Sequence, residues 1–139
     1  MSTMSRWIAI FYGLLAYVVF LGSFLYAIAF VGDLWVPKTI DQGAVSSTQE
    51  ALVWNLLLLA LFAVQHSVMA RPAFKRWWTR LVPKSVERST FVLASSLVLI
   101  LLYWQWRPIS AVVWEVESTA AQLALWGLFW AGWLVVLFS

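Results

Sequence analysis

Long apolar runs alternate with short polar ones along this chain, and four of the runs are long enough to cross a bilayer. They cover 7–31, 51–69, 89–106 and 120–139. A hydrocarbon core takes about 20 helical residues at a rise of about 1.5 Å each. The first run carries no formal charge, and its polar groups are Ser23 and tyrosine hydroxyls. The second is interrupted by Asn55, Gln65, His66 and Ser67, and the third by Ser95, Ser96 and Gln105. The fourth runs without a charge to Ser139. Helices satisfy every backbone group within the segment, whereas strands in lipid need alternating polarity, which is absent here. The pattern predicts an all-α, polytopic helical membrane protein with four transmembrane helices. Ala27-Ile28-Ala29 imitates a signal-peptidase site. The apolar run before it is too long for an h-region, and its basic flank is Arg6 alone, so the first run reads as a retained span.

A fifth element lies between the second and third runs. Pro72 suits the first position of a helix. Phe74, Trp77, Trp78 and Leu81 then recur at helical spacing, Arg76, Thr79 and Arg80 lean the other way, and Pro83 closes the segment. This predicts a basic interfacial helix over about 72–82 with aromatic anchors. Its basic and aromatic residues also resemble a nucleic-acid surface, but a position between two spans favours lipid, and no nucleic-acid partner is expected.

Small residues mark where membrane helices approach closely. Ala9, Gly13, Ala16, Ser23 and Ala27 form such a seam in the first span, with Phe20 as its bulky member. Ser89, Ser96 and Tyr103 repeat every seven residues in the third, and Ala120, Ala124, Gly127 and Ala131 form a seam in the fourth. Trp126, Trp130 and Trp133 make a stripe on the fourth span, which suggests a partner helix or a cofactor against it.

Composition sharpens this picture. Of 139 residues, 63% are hydrophobic and 11% charged, with a mean hydropathy of +0.86. A soluble globular chain carries about 25% charged residues, so a soluble enzyme is excluded. Zero cysteines and one histidine exclude disulfides, thiolate or all-histidine metal sites and a catalytic thiol, and no metal is expected. The net charge of +3 matters through its distribution. Arg6, Arg71, Lys75, Arg76, Arg80, Lys84 and Arg88 fall on one side of the four crossings, and Lys38 and Arg107 on the other. Seven against two predicts that the N-terminus, the 70–88 segment and the C-terminus are cytoplasmic. Trp7, Trp35, Trp77, Trp78, Trp104 and Trp106 near the span ends agree with this placement.

Ionisable groups within spans are costly and call for a functional hypothesis. His66 is such a group, about one turn from the cytoplasmic end. Asn55, eleven residues earlier, falls within about 20° of the same face, and Leu59 and Phe62 complete it. One reading is an interhelical hydrogen bond to Ser67, Ser89 or Ser96. The other is a neutral imidazole that orients a substrate or accepts a proton. Glu87 and Arg88 stand at the entrance to the third span, either as an interfacial charge pair or with Glu87 approaching His66. Arg107-Pro108 reads as a snorkelling anchor and helix stop.

Several strings carry a resemblance: Gln65-His66-Ser67-Val68-Met69-Ala70-Arg71-Pro72, Phe74-Lys75, Glu87-Arg88-Ser89-Thr90 and Trp104-Gln105-Trp106-Arg107-Pro108. Together they resemble the N-terminal half of the bacterial membrane methanethiol S-methyltransferases, related to the NnrU and isoprenylcysteine carboxyl methyltransferase-like group. The resemblance covers the chain from about residue 7 onward. It implies an integral membrane enzyme that moves a methyl group from S-adenosylmethionine to a small thiol, converting methanethiol to dimethyl sulfide. His66, Glu87 and Arg88 are then candidate catalytic residues, with Gln65 and Asn55 as candidate substrate-binding groups. The wider group builds its donor site from an Arg-His-Pro block, a nearby Tyr and Gly and a later Glu, and here His66 is followed by Ser67. The expectation is a single helical membrane domain over 1–139, truncated at its C-terminus, that keeps the scaffold, lacks the donor-binding half and is inactive alone. The alternative is a non-enzymatic helical subunit packing on a partner. A transporter half or a haem protein fits less well, given few polar groups inside the spans and one possible axial ligand.

Overall fold

The computed structural model describes residues 3–139, and the expectation for the extreme N-terminus falls partly outside them. Among the described residues there is no strand. Helix α1 covers Thr3–Gly32, α2 Thr48–Ala70, α3 Pro72–Trp78, α4 Lys84–Gln105 and α5 Thr119–Phe138. Four of these, α1, α2, α4 and α5, are long and apolar enough to cross a membrane. The helix ends follow local chemistry. Ser47 caps α2 by accepting from the Glu50 amide at 3.2 Å, which relieves one unpaired donor of the first turn. Pro83 precedes α4, and α4 stops at Gln105, three residues before Pro108.

Helix α4 is the centre of the arrangement. On one flank α1 runs parallel to it, and on the other α2 runs antiparallel. The α1–α4 register is read from the Tyr12 hydroxyl donating to Thr90 Oγ1 at 3.0 Å, the Tyr103 hydroxyl donating to the Ser23 carbonyl at 2.9 Å, and the Phe30–Trp106 ring pair. The α2–α4 register is read from Gln65–Ser95 at one end and Asn55–Arg107 at the other. Residues 71–83 therefore share one end of the bundle with Tyr12 and Thr90, and residues 33–47 share the opposite end with Arg107.

The small-residue seams predicted for α1 and α4 meet each other. Ala16 and Ser96 are each only 1% exposed, and a Cβ added at Gly13 would lie 3.3 Å from Ser89 Oγ. Close backbone approach replaces the hydrophobic drive that lipid removes. The two buried serine hydroxyls at this interface are satisfied inside their own helices, Ser23 donating to the Phe20 carbonyl and Ser96 to that of Val92. Phe20 is not in the seam; it faces outward between Tyr17 and Phe24. At the far end Phe30, Leu58, Leu102 and Tyr103 form a small buried cluster.

Two expectations need correction. The fourth-span seam of Ala120, Ala124, Gly127 and Ala131 is exposed, and a Cβ at Gly127 would meet nothing within 4 Å. Instead α5 leans on α1 through Trp133, whose ring meets Phe24 edge-on at 5.6 Å, and through Phe129, which lies against Gly32. Large rings offer more contact area than the small-residue face. The tryptophan stripe is thereby divided, since Trp126 and Trp130 stay exposed. The interfacial helix is also shorter than 72–82. Thr79 donates its hydroxyl to the Lys75 carbonyl at 2.8 Å, and the chain continues only as turns to Val82, because a residue before proline is pushed away from helical ψ.

The loop after α1 is tied into a knot. Asp33 Oδ1 accepts from the Thr39 hydroxyl and from Gln42 Nε2, while Thr39 Oγ1 accepts from the Asp41 and Gln42 amides. Thr39 is fully buried. Tyr26 donates to the Lys38 carbonyl at 2.7 Å, and Trp106 Nε1 to that of Ile40 at 3.1 Å, which pins the knot to α1 and α4.

Candidate functional site

Two adjacent serines on α4 serve two different helices. Ser96 faces α1, whereas Ser95, about 100° around the helix, faces α2. Gln65 Nε2 donates to Ser95 Oγ at 3.2 Å, and His66 Nδ1 lies 3.4 Å from the same oxygen. Ser95 thus joins the two candidate residues of α2. The histidine partner is Ser95, not Ser67, Ser89 or Ser96 as the sequence suggested. With a proton on Nδ1, His66 donates to Ser95 and its Nε2 is an acceptor. With the proton on Nε2, Ser95 donates to Nδ1.

The walls of this patch are apolar. The His66 ring stacks on Phe62 at 5.4 Å and an interplanar angle of 30°, and Phe91 of α4 lies 5.1 Å away. Gln65 Nε2 also approaches Met69 Sδ at 3.1 Å. Both donors of that amide are therefore engaged, but its Oε1 is buried without a hydrogen-bond partner. A buried carbonyl oxygen left unpaired costs about 1–3 kcal/mol, so this acceptor is suited to a donor brought by a ligand. His66 is itself exposed on the surface of the helix pair.

The other candidates lie elsewhere. Asn55 is only 4% exposed and is fully engaged at the opposite end: Nδ2 donates to the Arg107 carbonyl at 2.7 Å, and the Arg107 amide donates to Oδ1 at 2.9 Å. The α4-facing stripe of α2 holds Ala51, Asn55 and Leu58, with Leu59 exposed. Among the described residues Glu87 and Arg88 form no ion pair with each other and no hydrogen bond with His66. Glu87 sits in the first turn of α4, where a carboxylate complements the helix dipole. Arg88 lines a cavity of about 240 Å³ with Gly13, Tyr17, Ser85 and Ser89, on the α1 side and away from His66. Arg107 does more than anchor: its guanidinium pairs with Glu50 and lies 5.0 Å over the Trp54 ring. Sequence reasoning missed Ser95 and Phe91. Their signal was the adjacency of Ser95 and Ser96, which places one hydroxyl toward each neighbour of a central helix.

No family model matches the chain, and no solved structure is similar to it. Curated proteins are. The chain is 57% identical over 136 residues to the methanethiol S-methyltransferase of Mycobacterium tuberculosis, covering 98% of this chain and 56% of that protein. It is 56% identical over 138 residues to methanethiol S-methyltransferase 1 of Bradyrhizobium diazoefficiens, covering 99% and 48%. By sequence, the chain is a relative of the methanethiol S-methyltransferases. It spans about half the length of these curated relatives. A more distant similarity, 33% identity over 105 residues, links it to mouse nurim, covering 74% of this chain and 35% of nurim.

S-adenosylmethionine, the donor expected from the sequence resemblance, would need donors for its carboxylate, acceptors for its amine and ribose hydroxyls, and a flat apolar slot for adenine. In the 70–88 segment Glu87 is the one acidic side chain, and it makes no hydrogen bond with His66. The cavity containing Arg88 is smaller than the roughly 300–1,000 Å³ of ligand pockets. The described residues do not by themselves fit the donor.

Proposed function

We propose that this chain serves thiol S-methylation with S-adenosylmethionine as donor and methanethiol as acceptor, and that the Gln65–His66–Ser95 patch is the acceptor side. The observation that carries this is an exposed histidine held against Ser95, beside the buried and unpaired Gln65 Oε1. A thiol docking at the exposed edge of His66, beside Phe62 and Phe91, points its S–H at the imidazole, with Gln65 Oε1 in the buried wall behind it. His66, with Nδ1–H held on Ser95, presents Nε2 to take that proton as the sulfur becomes nucleophilic. The apolar walls suit a small volatile thiol. Asn55 supports this reading only indirectly, by fixing the α2–α4 register that sets Gln65 against Ser95. Glu87 and Arg88 are proposed to act at the cytoplasmic surface rather than on the thiol. In this reading residues 1–139 form one helical membrane domain of a bacterial inner membrane, with both ends and the 70–88 segment cytoplasmic.

The test is headspace dimethyl sulfide produced from methanethiol by membranes carrying a full-length relative with His66→Ala, His66→Gln or Gln65→Leu made at the aligned positions. A positioned base contributes roughly 10²–10⁴-fold, so His66→Ala should lose at least about 10²-fold. Gln65→Leu should raise KM for the thiol. Unchanged turnover and KM in His66→Ala would refute the assignment.

The uncovered face of α5 favours a second element of the proposal. Ala120, Ala124, Gly127 and Ala131, flanked by exposed Trp126 and Trp130, are suited to a further transmembrane helix. A helical subunit without catalysis rests on the same face. Crosslinking through a cysteine placed at Gly127 tests for that helix.

A further inference from the structure

An apolar groove of about 520 Å³ runs between α1 and α4 in the half of the bundle away from His66. Its walls include Val19, Gly22, Tyr26, Ile100, Tyr103 and Trp104. This is far larger than a thiol of one carbon and one sulfur requires, and it suits a long apolar chain. At the loop end, Lys38 and Trp104 also line a second, polar compartment of about 320 Å³ shared with Ser46, Glu50 and Arg107. The two spaces therefore border the same lysine and tryptophan, apolar inside and polar at the mouth.

The charge of the mouth is positive. Lys38 and Arg107 stand against the single carboxylate of Glu50, which pairs with Arg107. Among the described residues Lys38 has no carboxylate partner. Its ammonium donates to the Trp104 carbonyl, leaving two of its three donors for a ligand. Burial lowers its pKa from the ordinary lysine value, and an anion at this place would favour the charged form. Ser46 Oγ, in the same wall, is buried without a hydrogen-bond partner. The neighbouring acids do not compete: Asp33 is turned onto Thr39 and Gln42, and Asp41 lines a different cavity with residues 109–114.

We propose that the groove and its mouth form a binding site for one anionic phospholipid, an acyl chain lying between α1 and α4 and the phosphate held by Lys38 and Ser46. Gly22 provides the means to block it. A Cβ at Gly22 would meet nothing within 4 Å, so a larger side chain there enters the groove without displacing a helix. This site is separate from the proposed thiol patch, and its test does not depend on methyl transfer.

The experiment is native mass spectrometry of the detergent-purified protein with phosphatidylglycerol or phosphatidylcholine of identical acyl chains. Wild type should retain one phosphatidylglycerol at least tenfold more than phosphatidylcholine. Lys38→Gln should remove that preference, and Gly22→Leu should lose the bound lipid while keeping its helical circular dichroism. Ser46→Ala, which leaves the charge intact, should weaken phosphatidylglycerol retention several-fold. Equal retention of the two lipids by wild type would overturn the proposal. So would unchanged retention in Gly22→Leu, or a groove occupied instead by a second copy of the chain, seen as a lipid-free dimer.

Discussion

Asn55 should be worth more to stability than the ion pair beside it, although both tie α2 to Arg107. Asn55 is buried and makes two good bonds to one backbone unit, at 2.7 and 2.9 Å. The orientation of its amide is fixed by the partners, since one is a carbonyl and the other an N–H. At about 1–1.5 kcal/mol per bond, Asn55→Ala should cost about 2–3 kcal/mol, partly because the Arg107 amide and carbonyl are left unpaired. The Arg107–Glu50 pair is exposed, at 29% and 57% for the two side chains, and such pairs contribute about 0–1 kcal/mol. Glu50→Gln should therefore cost less than about 1 kcal/mol. Asn55→Asp should be worse than Asn55→Ala, because a carboxylate oxygen would replace the donor that faces the Arg107 carbonyl. The assay is reversible denaturation in mixed micelles, followed by tryptophan fluorescence. If Glu50→Gln destabilises as much as Asn55→Ala, the attribution of the α2–α4 register to the amide is wrong.

Other consequences are quicker to check. Ser95→Ala should reduce the proposed thiol methylation less than His66→Ala, because it removes the group that orients the imidazole and leaves the imidazole; a larger loss would place the chemistry on Ser95. Gly13→Leu should destabilise the α1–α4 contact by about 1–3 kcal/mol through overpacking against Ser89, whereas Gly127→Leu should be nearly neutral in the isolated chain, as thermal unfolding in detergent will tell. Trp35 is 93% exposed at a φ of 47°, so Trp35→Gly should stabilise by about 1 kcal/mol, and a lower melting temperature would count against strain at that position. The absence of cysteine makes topology mapping clean. In intact cells Val45→Cys should react with an impermeant maleimide and Ser85→Cys should not, and the reverse would invert the proposed orientation.

The spans, their number and a short helix beginning at Pro72, though not its end at Trp78, were legible in the sequence because lipid imposes a length and a polarity on any chain that crosses it. The first-span seam was legible for a related reason: between helices in lipid, small side chains are what permit contact, so Gly13, Ala16 and Ser23 announce an interface. The fourth-span seam looked the same and is not used within the described residues, since a seam states that a helix can pack and not what it packs on. His66 and Gln65 stood out by chemistry alone, being polar groups in an apolar run.

Their partner did not, because choosing between Ser89, Ser95 and Ser96 requires knowing which neighbour each face of α4 meets. That is set by the parallel α1 and the antiparallel α2 on opposite sides. Asn55 and His66 share a helical face, yet only the crossing with α4 assigns one to a backbone clamp and the other to an exposed patch. The pairing of Lys38 with a groove between α1 and α4 is likewise a product of the loop knot around Asp33 and Thr39, whose contacts bridge residues distant in the chain. Periodicity and polarity act locally and so are written in the sequence, whereas the partner of each polar group depends on which helices become neighbours, and only the tertiary structure decides that.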